Sequence, residues 1–265
     1  MRKLFTLAAL VALALVSCDK DRSNTGAESE KGSVAVSLNT ATTVEATRAV
    51  LNTEVNCTVP AAEDFGVVIN GIRKESGEAM NSVKEYASIA EVVEDYFYRG
   101  YYKATVTSGD INEEGYNKPT FVGVSEEFHV EARKTANVQI EATIANALVK
   151  VVVTDGFKKY FSEGYELELE TSLGNKFDVS DQTDLIFIAP ASFKVSGVAY
   201  KQPNQSGTAN QEVVLSAQTF ENIQPRTIYT VKMDVSTAGQ ATLKITLNDN
   251  IVDESPIETE LNPWA

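Results

Sequence analysis

Short runs of alternating apolar and polar residues constrain the fold of this chain more than any other feature. The clearest are GSVAVSLN at 32–39, YYKATVTSG at 101–109, ANVQIEAT at 136–143 and ALVKVVV at 147–153. Successive side chains of a β-strand point to opposite faces of the sheet, so a period of two predicts half-buried strands. Glycine, asparagine, aspartate or proline bounds each run, which is typical of turns between strands.

The same pattern recurs along most of the chain. The predicted strands lie at 32–39, 65–71, 101–109, 126–132, 136–143, 147–153, 165–171, 185–189, 192–200, 211–217, 227–235 and 241–248. Many short strands separated by turn signals predict an all-β protein with sandwich architecture. Helical spacing is found at 82–97 and at 154–161, and we expect both segments to connect strands.

The length of 265 residues permits one large domain or two ordinary ones. A loose likeness between 99–109 and 225–239 favours two related domains. We therefore expect two tandem antiparallel β-sandwiches, at 32–144 and 145–255, followed by a C-terminal tail at 256–265.

The N-terminus has the features of a secretory signal. Arg2 and Lys3 precede an apolar stretch at 4–16, which is shorter than the roughly twenty residues that span a bilayer. The tetrad LVSC, which ends at Cys18, resembles the bacterial lipobox, where the cysteine is diacylated before cleavage. The sequence thus predicts a lipoprotein signal peptide at 1–17, with a plain signal or a buried thiol as the alternative.

Lipidation of Cys18 would attach the mature chain to a membrane leaflet, because two or more acyl chains make anchoring durable. Residues 18–31 are mostly polar and charged and show no apolar periodicity. Such a segment is typical of a flexible, solvated tether between anchor and folded chain.

Charge and cysteine content exclude several classes of function. The formal net charge is −14, and the predicted leader removes two positive charges, so nucleic acid is not an expected partner.

With Cys18 lipidated, Cys57 has no disulfide partner, and a packed core must stabilise the fold. Cys57 alternates with apolar residues and is predicted to be a buried strand residue. One free cysteine and His129 cannot build a structural zinc site, and we expect no cofactor and no metal.

Part of the chain resembles a lipoprotein domain family of Bacteroidales bacteria whose members are similar to fimbrillin-type pilus and adhesion proteins. The resemblance rests on NKPTFVG at 117–123, on IANALVKVVV at 144–153 and on the aromatic pair Phe157 and Phe161. Weaker likeness upstream and downstream extends it over most of 32–255.

This resemblance implies two transthyretin-like, Greek-key sandwiches, lipid-anchored in the outer membrane at the cell surface and active in adhesion or pilus assembly. In fimbrillin relatives an arginine-specific protease removes the first strand, and a strand of the next subunit fills the groove. Arg48, after the first predicted strand, is the candidate cleavage site here. The segment 256–265 would be a donor strand or a frayed tail, and Pro263 favours the tail.

No catalytic constellation is convincing, and we do not expect an enzyme. His129 is the only histidine and is predicted on the exposed face of a strand, so a serine triad has little basis. The pairs Glu126–Glu127 and Glu113–Glu114 would supply the carboxylates of a glycosidase only at the right separation, and acidic pairs are usually solvated.

The aspartates of DVSDQTD at 178–184 have calcium-like spacing. They lack the glycine and the terminal glutamate of an EF-hand loop, so a metal site is not the favoured interpretation.

The stretch YFYRGYY concentrates aromatic residues: Tyr96, Phe97, Tyr98, Tyr101 and Tyr102. Alternation predicts that about half of them are buried. If Tyr98, Tyr101 and Tyr102 were exposed, they would stack on sugar rings. The main hypothesis is therefore a non-enzymatic adhesion or fimbria-like protein that binds other pilus subunits. The alternative is a glycan-binding lipoprotein for nutrient capture, which would need an aromatic platform there or near Trp264.

Overall fold

The computed structural model describes residues 30–45, 52–162, 164–200, 212–235, 241–247 and 250–256. The strands in these ranges are β1 (Lys31–Ala41), β2 (Thr43–Glu45), β3 (Asn52–Glu54), β4 (Gly66–Lys74), β5 (Val83–Tyr86), β6 (Phe97–Tyr98), β7 (Gly100–Ser108), β8 (Gly115–Tyr116), β9 (Phe121–Val124), β10 (Phe128–Val130), β11 (Thr135–Ile144), β12 (Ala147–Val153), β13 (Tyr165–Thr171), β14 (Lys176–Asp178), β15 (Ile186–Ile188), β16 (Phe193–Tyr200), β17 (Glu212–Phe220), β18 (Ile228–Val235), β19 (Ala241–Leu247) and β20 (Asn250–Pro256). The helices are α1 (Ile89–Val92) and α2 (Asp155–Tyr160), and a 3-10 turn spans Ala62–Asp64. The prediction of a mostly β protein is confirmed, whereas the division into tandem sandwiches at 144/145 stays a prediction.

Three large sheets build the molecule. The first has the order β5-β4-β7-β9-β11-β1-β6, with β10 also paired to β7. The second has the order β20-β19-β18-β12-β15-β8, and the third has the order β14-β13-β16-β17. Strands β2 and β3 form a separate pair.

One strand of the second sheet comes from an early part of the chain. Strand β8 lies in the connection between β7 and β9 of the first sheet, yet it pairs with β15, with Tyr116 opposite Ile186. The pairing of β8 with β15 therefore connects the first sheet to the second.

Two strand pairs are parallel, which differs from the expected antiparallel arrangement. β1 runs alongside β11 from Ser33↔Thr135 to Ala41↔Thr143, and β12 runs alongside β18 from Leu148↔Ile228 to Val153↔Met233. Parallel partners are joined by long connections, so turn signals in the sequence do not reveal them.

The apolar side chains form two core clusters that share strand β12. Leu148 belongs to the first cluster, together with Phe65, Phe121 and Ile140. The next residue, Val149, points the other way into the second cluster. Both faces of β12 are therefore buried, which explains why its sequence is almost continuously apolar.

The two predicted helical segments have different outcomes. Helix α2 forms as expected at 154–161, where the Thr154 hydroxyl accepts a hydrogen bond from the backbone N–H of Phe157 at 3.1 Å. The helical prediction for 82–97 is wrong. That segment contains β5, the short α1 and the start of β6, because residues 83–86 pair with β4 from Asn70↔Val83 to Val67↔Tyr86. Lys84 Nζ also binds Asp95 Oδ2 at 2.6 Å.

Cys57 also differs from its prediction. It is half-buried in the loop after β3 rather than inside a strand, and burial raises the pKa of its thiol. Within the part of the chain that the structure describes, no helix is long and apolar enough to cross a membrane.

Candidate functional site

The structure separates the three tyrosines that were predicted to contact a ligand. Tyr98 is 56% exposed and Tyr102 only 3%. The Tyr102 ring packs edge-on against Phe97 and stacks on Phe128, and its hydroxyl donates a hydrogen bond to the Tyr98 carbonyl oxygen at 2.6 Å. Tyr102 thus lines the first core, and only Tyr98 lies open to solvent over most of its ring.

Tyr101 is half-buried in a row of side chains that crosses three strands. Arg73 on β4 and His129 on β10 are its direct cross-strand partners. The Arg73 guanidinium lies 4.0 Å from the centroid of the Tyr101 ring, and the His129 ring stacks on it at 4.6 Å. Because β4 and β10 flank β7 from opposite sides, both faces of the Tyr101 ring are covered.

Carboxylates surround this row, and each binds a basic side chain. Glu127 accepts two hydrogen bonds from Arg73, at 2.7 and 2.6 Å. Glu75 binds Arg99 and also lies 2.5 Å from His129 Nε2. Hydrogen bonds from Arg73 and from Arg99 lower the pKa of Glu127 and of Glu75, respectively. These acids are therefore held ionised, which does not suit a general acid at neutral pH.

The two glutamates of the other acidic pair, Glu113 and Glu114, bind different parts of the molecule. Glu113 pairs with Lys118 on the surface, at 2.5 Å. Glu114 turns toward the third sheet and accepts hydrogen bonds from Thr171 and Asn175, at 2.5 and 2.8 Å. Neither glutamate pair presents two carboxylates to one cleft.

A cleft of about 510 Å³ lies beside Tyr98. Its lining side chains are Glu30, Lys74, Glu75, Ser76, Met80, Ser82, Tyr98 and Arg99. A smaller cavity of about 210 Å³ shares Ser82 and Tyr98 with it and extends to Tyr96, which is 63% exposed. An exposed aromatic ring thus lies among hydroxyl and charged groups at Tyr98, as the alternative hypothesis of glycan binding requires.

Strand β1 has an unusual position in the first sheet. Its residue Val34 is fully buried in the first core, and Val36 and Leu38 pack against that core. Along one side β1 pairs with β11 from Ser33 to Ala41, but on the other it pairs with β6 only at Lys31 and Gly32. The predicted processing site Arg48 and the predicted lipidation site Cys18 lie outside the described residues.

In the segment 178–184, the Asp178 side chain is hydrogen-bonded within the protein. Asp178 accepts hydrogen bonds from the backbone N–H and the hydroxyl of Ser180, which lower the pKa of its carboxyl group. Among the described residues, no three acidic, histidine or cysteine side chains are grouped as metal ligands.

Sequence reasoning missed a second cleft, of about 560 Å³, around Tyr116. Its lining residues are Asn56, Cys57, Thr58, Tyr116, Asn117, Lys150, Thr183, Asp184, Leu185 and Phe187. They come from four separate segments of the chain, so no local motif marks them. The only local signal was a tyrosine within the polar turn segment GYNK.

Residues 30–263 match DUF4493, a domain of unknown function. The chain belongs to this family. The DUF4493 range contains every described strand from β1 to β20, so both core clusters lie within one family domain. No curated protein matches the chain significantly.

Several solved structures have a similar arrangement. The DUF4493 chain is similar to a "putative cell adhesion protein" from Bacteroides eggerthii, with 9% identity, 84% of this chain and 97% of that chain covered, and a TM-score of 0.40. It is also similar to a fimbrial assembly protein from Parabacteroides distasonis, with 10% identity, 74% and 92% coverage and a TM-score of 0.36. A third similar structure is titled "putative polysaccharide binding proteins (DUF1812)" from Bacteroides thetaiotaomicron, with 8% identity, 83% and 98% coverage and a TM-score of 0.36.

Proposed function

We propose that this protein is a non-enzymatic, surface-anchored lipoprotein that acts in cell adhesion, as a subunit or an accessory of a fimbria-like pilus. The observation that supports the proposal is the position of β1. This strand gives apolar side chains to the core, yet beyond Gly32 it pairs on one side only within the described part of the chain.

Displacement of β1 would expose a groove of defined shape. The backbone groups of β11 from Thr135 to Thr143 would lose their partners on that side, and the space filled by Val34, Val36 and Leu38 would open. A strand from a second copy, with apolar residues at the same spacing, would pair with β11 and refill the core.

The predicted lipid and the predicted cleavage site fit the same scheme. Cys18 would carry the lipid at the N-terminal end of the tether at 18–31, which leads directly into β1. Cleavage at Arg48 would separate the lipid together with β1 from the rest of the chain. We place the anchored form in the outer membrane at the cell surface.

An arginine-specific protease tests this proposal on the full-length protein extracted from membranes. We expect a cut at Arg48, in addition to any cut at Arg22 in the tether, followed by a ladder of detergent-resistant multimers on a gel. Arg48→Ala should stay intact at residue 48 and remain monomeric, whereas the control Arg22→Ala should still be cut at Arg48 and form the ladder. The proposal fails if the wild-type chain stays intact at Arg48, or if the cut chain remains monomeric.

A second candidate function, glycan capture, is favoured by the open ring of Tyr98 beside its cleft. On a glycan array we expect Tyr98→Ala to remove the signal of at least one glycan that the wild type binds, and Tyr102→Phe, a change inside the core, to keep that signal. If Tyr98→Ala removes the signal of no glycan, glycan binding at this cleft is contradicted.

A further inference from the structure

We propose that the cleft around Tyr116 binds a neutral oligosaccharide of pyranose units, at a site separate from Tyr98. The inference rests on the geometry of this cleft and is independent of strand addition by β1.

The chain holds Tyr116 firmly although its ring is 44% exposed. Strand β8 is only two residues long, but Tyr116 pairs with Ile186 of β15. Just before it, the Glu114 carboxylate accepts hydrogen bonds from Thr171 and from the backbone N–H of Ala189, at 2.5 and 2.8 Å. The Tyr116 ring itself packs edge-on against Phe177, with the ring centroids 6.3 Å apart. A side chain that is held in place before binding loses little conformational entropy when a ligand stacks on it.

Asn117 is fixed next to this ring. Its backbone has a positive φ of 51°, and its side-chain amide both accepts from the Thr58 backbone N–H and donates to the Thr58 hydroxyl, each at 3.2 Å. The loop after β3 and the loop after β8 are thereby joined, and together they form one wall of the cleft.

Other lining residues of the cleft supply charged donors and acceptors. Lys150 on β12 is half-buried, and within the described ranges its ammonium group has no carboxylate at ion-pair distance. Asp184, which is exposed, contributes a carboxylate. A sugar hydroxyl both donates and accepts, so a wall with both kinds of group, next to an aromatic ring, suits a pyranose.

The same groups disfavour other ligand classes. An apolar ligand would desolvate Lys150 and Asp184 without giving them partners. An anion would face Asp184 and the nearby Asp178, whose charges together with burial raise the pKa of the Tyr116 hydroxyl. A cation would face Lys150. A neutral polar ligand with a ring-sized apolar face meets none of these penalties.

The space around the ring is larger than one sugar unit. A second depression, of about 280 Å³, shares Tyr116, Thr183 and Asp184 with the first cleft, of about 560 Å³. Tyr116 therefore lies along a groove that continues past the ring. This continuity favours an oligosaccharide over a single monosaccharide.

Isothermal titration of the full-length protein in detergent with maltohexaose, cellohexaose, mannohexaose and galactohexaose tests the inference. We expect at least one of these to bind and Tyr116→Ala to weaken its affinity by about tenfold or more, which corresponds to about 1.4 kcal/mol. Tyr116→Phe keeps the ring and should retain affinity within about threefold. Lys150→Gln should also weaken binding. Lys150 lies on β12, so this variant tests the same cleft without a change in β8.

Tyr98→Ala is the matched control, because it removes an exposed tyrosine from the other cleft and should leave this affinity unchanged. Binding that is insensitive to both Tyr116→Ala and Lys150→Gln would overturn the inference. So would binding that Tyr98→Ala abolishes, or failure of all four hexasaccharides to bind. Selective binding of an acidic oligosaccharide or of an extended peptide would identify another ligand class and equally overturn it. None of these outcomes affects the gel assay for strand addition.

Discussion

Tyr102 is a residue whose burial has a measurable consequence. It is 3% exposed, and burial raises the pKa of its hydroxyl from 10.0 to about 12. A folded-state pKa above the unfolded value means that the neutral group stabilises the fold below pH 10, and that this contribution is lost as the pH rises toward 12.

We expect Tyr102→Phe to lower the free energy of unfolding by about 1 kcal/mol at pH 7, because the hydrogen bond to the Tyr98 carbonyl is lost. Phenylalanine does not ionise, so the difference from the wild type should shrink between pH 10 and pH 12. Urea unfolding at pH 7, 10 and 11 measures it. A difference that is constant over this range would contradict the assigned shift.

At the same scale, the sequence predicts burial better than it predicts the surroundings of a ring. Alternation correctly indicates that about half of the YFYRGYY aromatics are buried, with Phe97 and Tyr102 inside and Tyr98 outside. It does not indicate that Arg73 and His129 cover Tyr101, because those residues lie on strands brought together only by folding.

Among the elements, β9 and β11 approach each other closely at Gly123. A Cβ atom at this position would lie 2.7 Å from the Glu141 carbonyl oxygen and 2.7 Å from a methyl group of Ile140. Backbone cannot move aside as a flexible side chain does, so only glycine fits between these strands.

Gly123→Ala should therefore destabilise the protein by about 1 to 3 kcal/mol. The matched control is Gly66→Ala in β4, where the nearest atom to an added Cβ is 3.6 Å away. We expect this control to be neutral or to stabilise by about 0.5 kcal/mol. Thermal unfolding of both variants measures the contrast, and equal melting temperatures would show that the strands separate more easily than the structure indicates.

Most long elements were predictable, and several short ones were not. The alternating runs at 101–109 and 147–153 correspond closely to β7 and β12. Strands of two or three residues, such as β8 and β14, carry no period and were missed. At 82–97 the apolar residues have helical spacing, but Val83–Tyr86 pair with β4 as strand β5, and only Ile89–Val92 form a helix.

For the whole molecule, the Glu114 carboxylate joins the first sheet to the other two. It lies in the excursion that carries β8, and it bonds to Thr171 of the third sheet and to the backbone of Ala189 just after β15 of the second. Leu148 and Phe187 of the second sheet pack into the first core as well. The two cores are thus expected to unfold together.

Glu114→Ala should lower the free energy of unfolding by about 3 kcal/mol, because it leaves the buried Thr171 hydroxyl and the Ala189 N–H without partners. It should also broaden the calorimetric transition. Glu113→Ala removes only a surface ion pair with Lys118 and should cost at most about 0.5 kcal/mol. If the two variants have the same free energy of unfolding, Glu114 does not couple the unfolding of the two cores.

The relative arrangement of the sheets was not accessible from the sequence. The parallel pairings of β1 with β11 and of β12 with β18 join residues about a hundred and about eighty positions apart. Periodicity reports only on neighbours, so it predicted the strands but neither these pairings nor the cleft at Tyr116.

The parallel register of β1 and β11 also determines how the molecule would respond to mechanical load. A pull on the N-terminal end of β1, resisted through β12 at the C-terminal end of β11, acts along both strands in opposite directions. The backbone hydrogen bonds from Ser33 to Ala41 would then be loaded in shear, all at once, instead of opening one after another. A protein tethered by its first strand would in this way withstand flow at its anchored end.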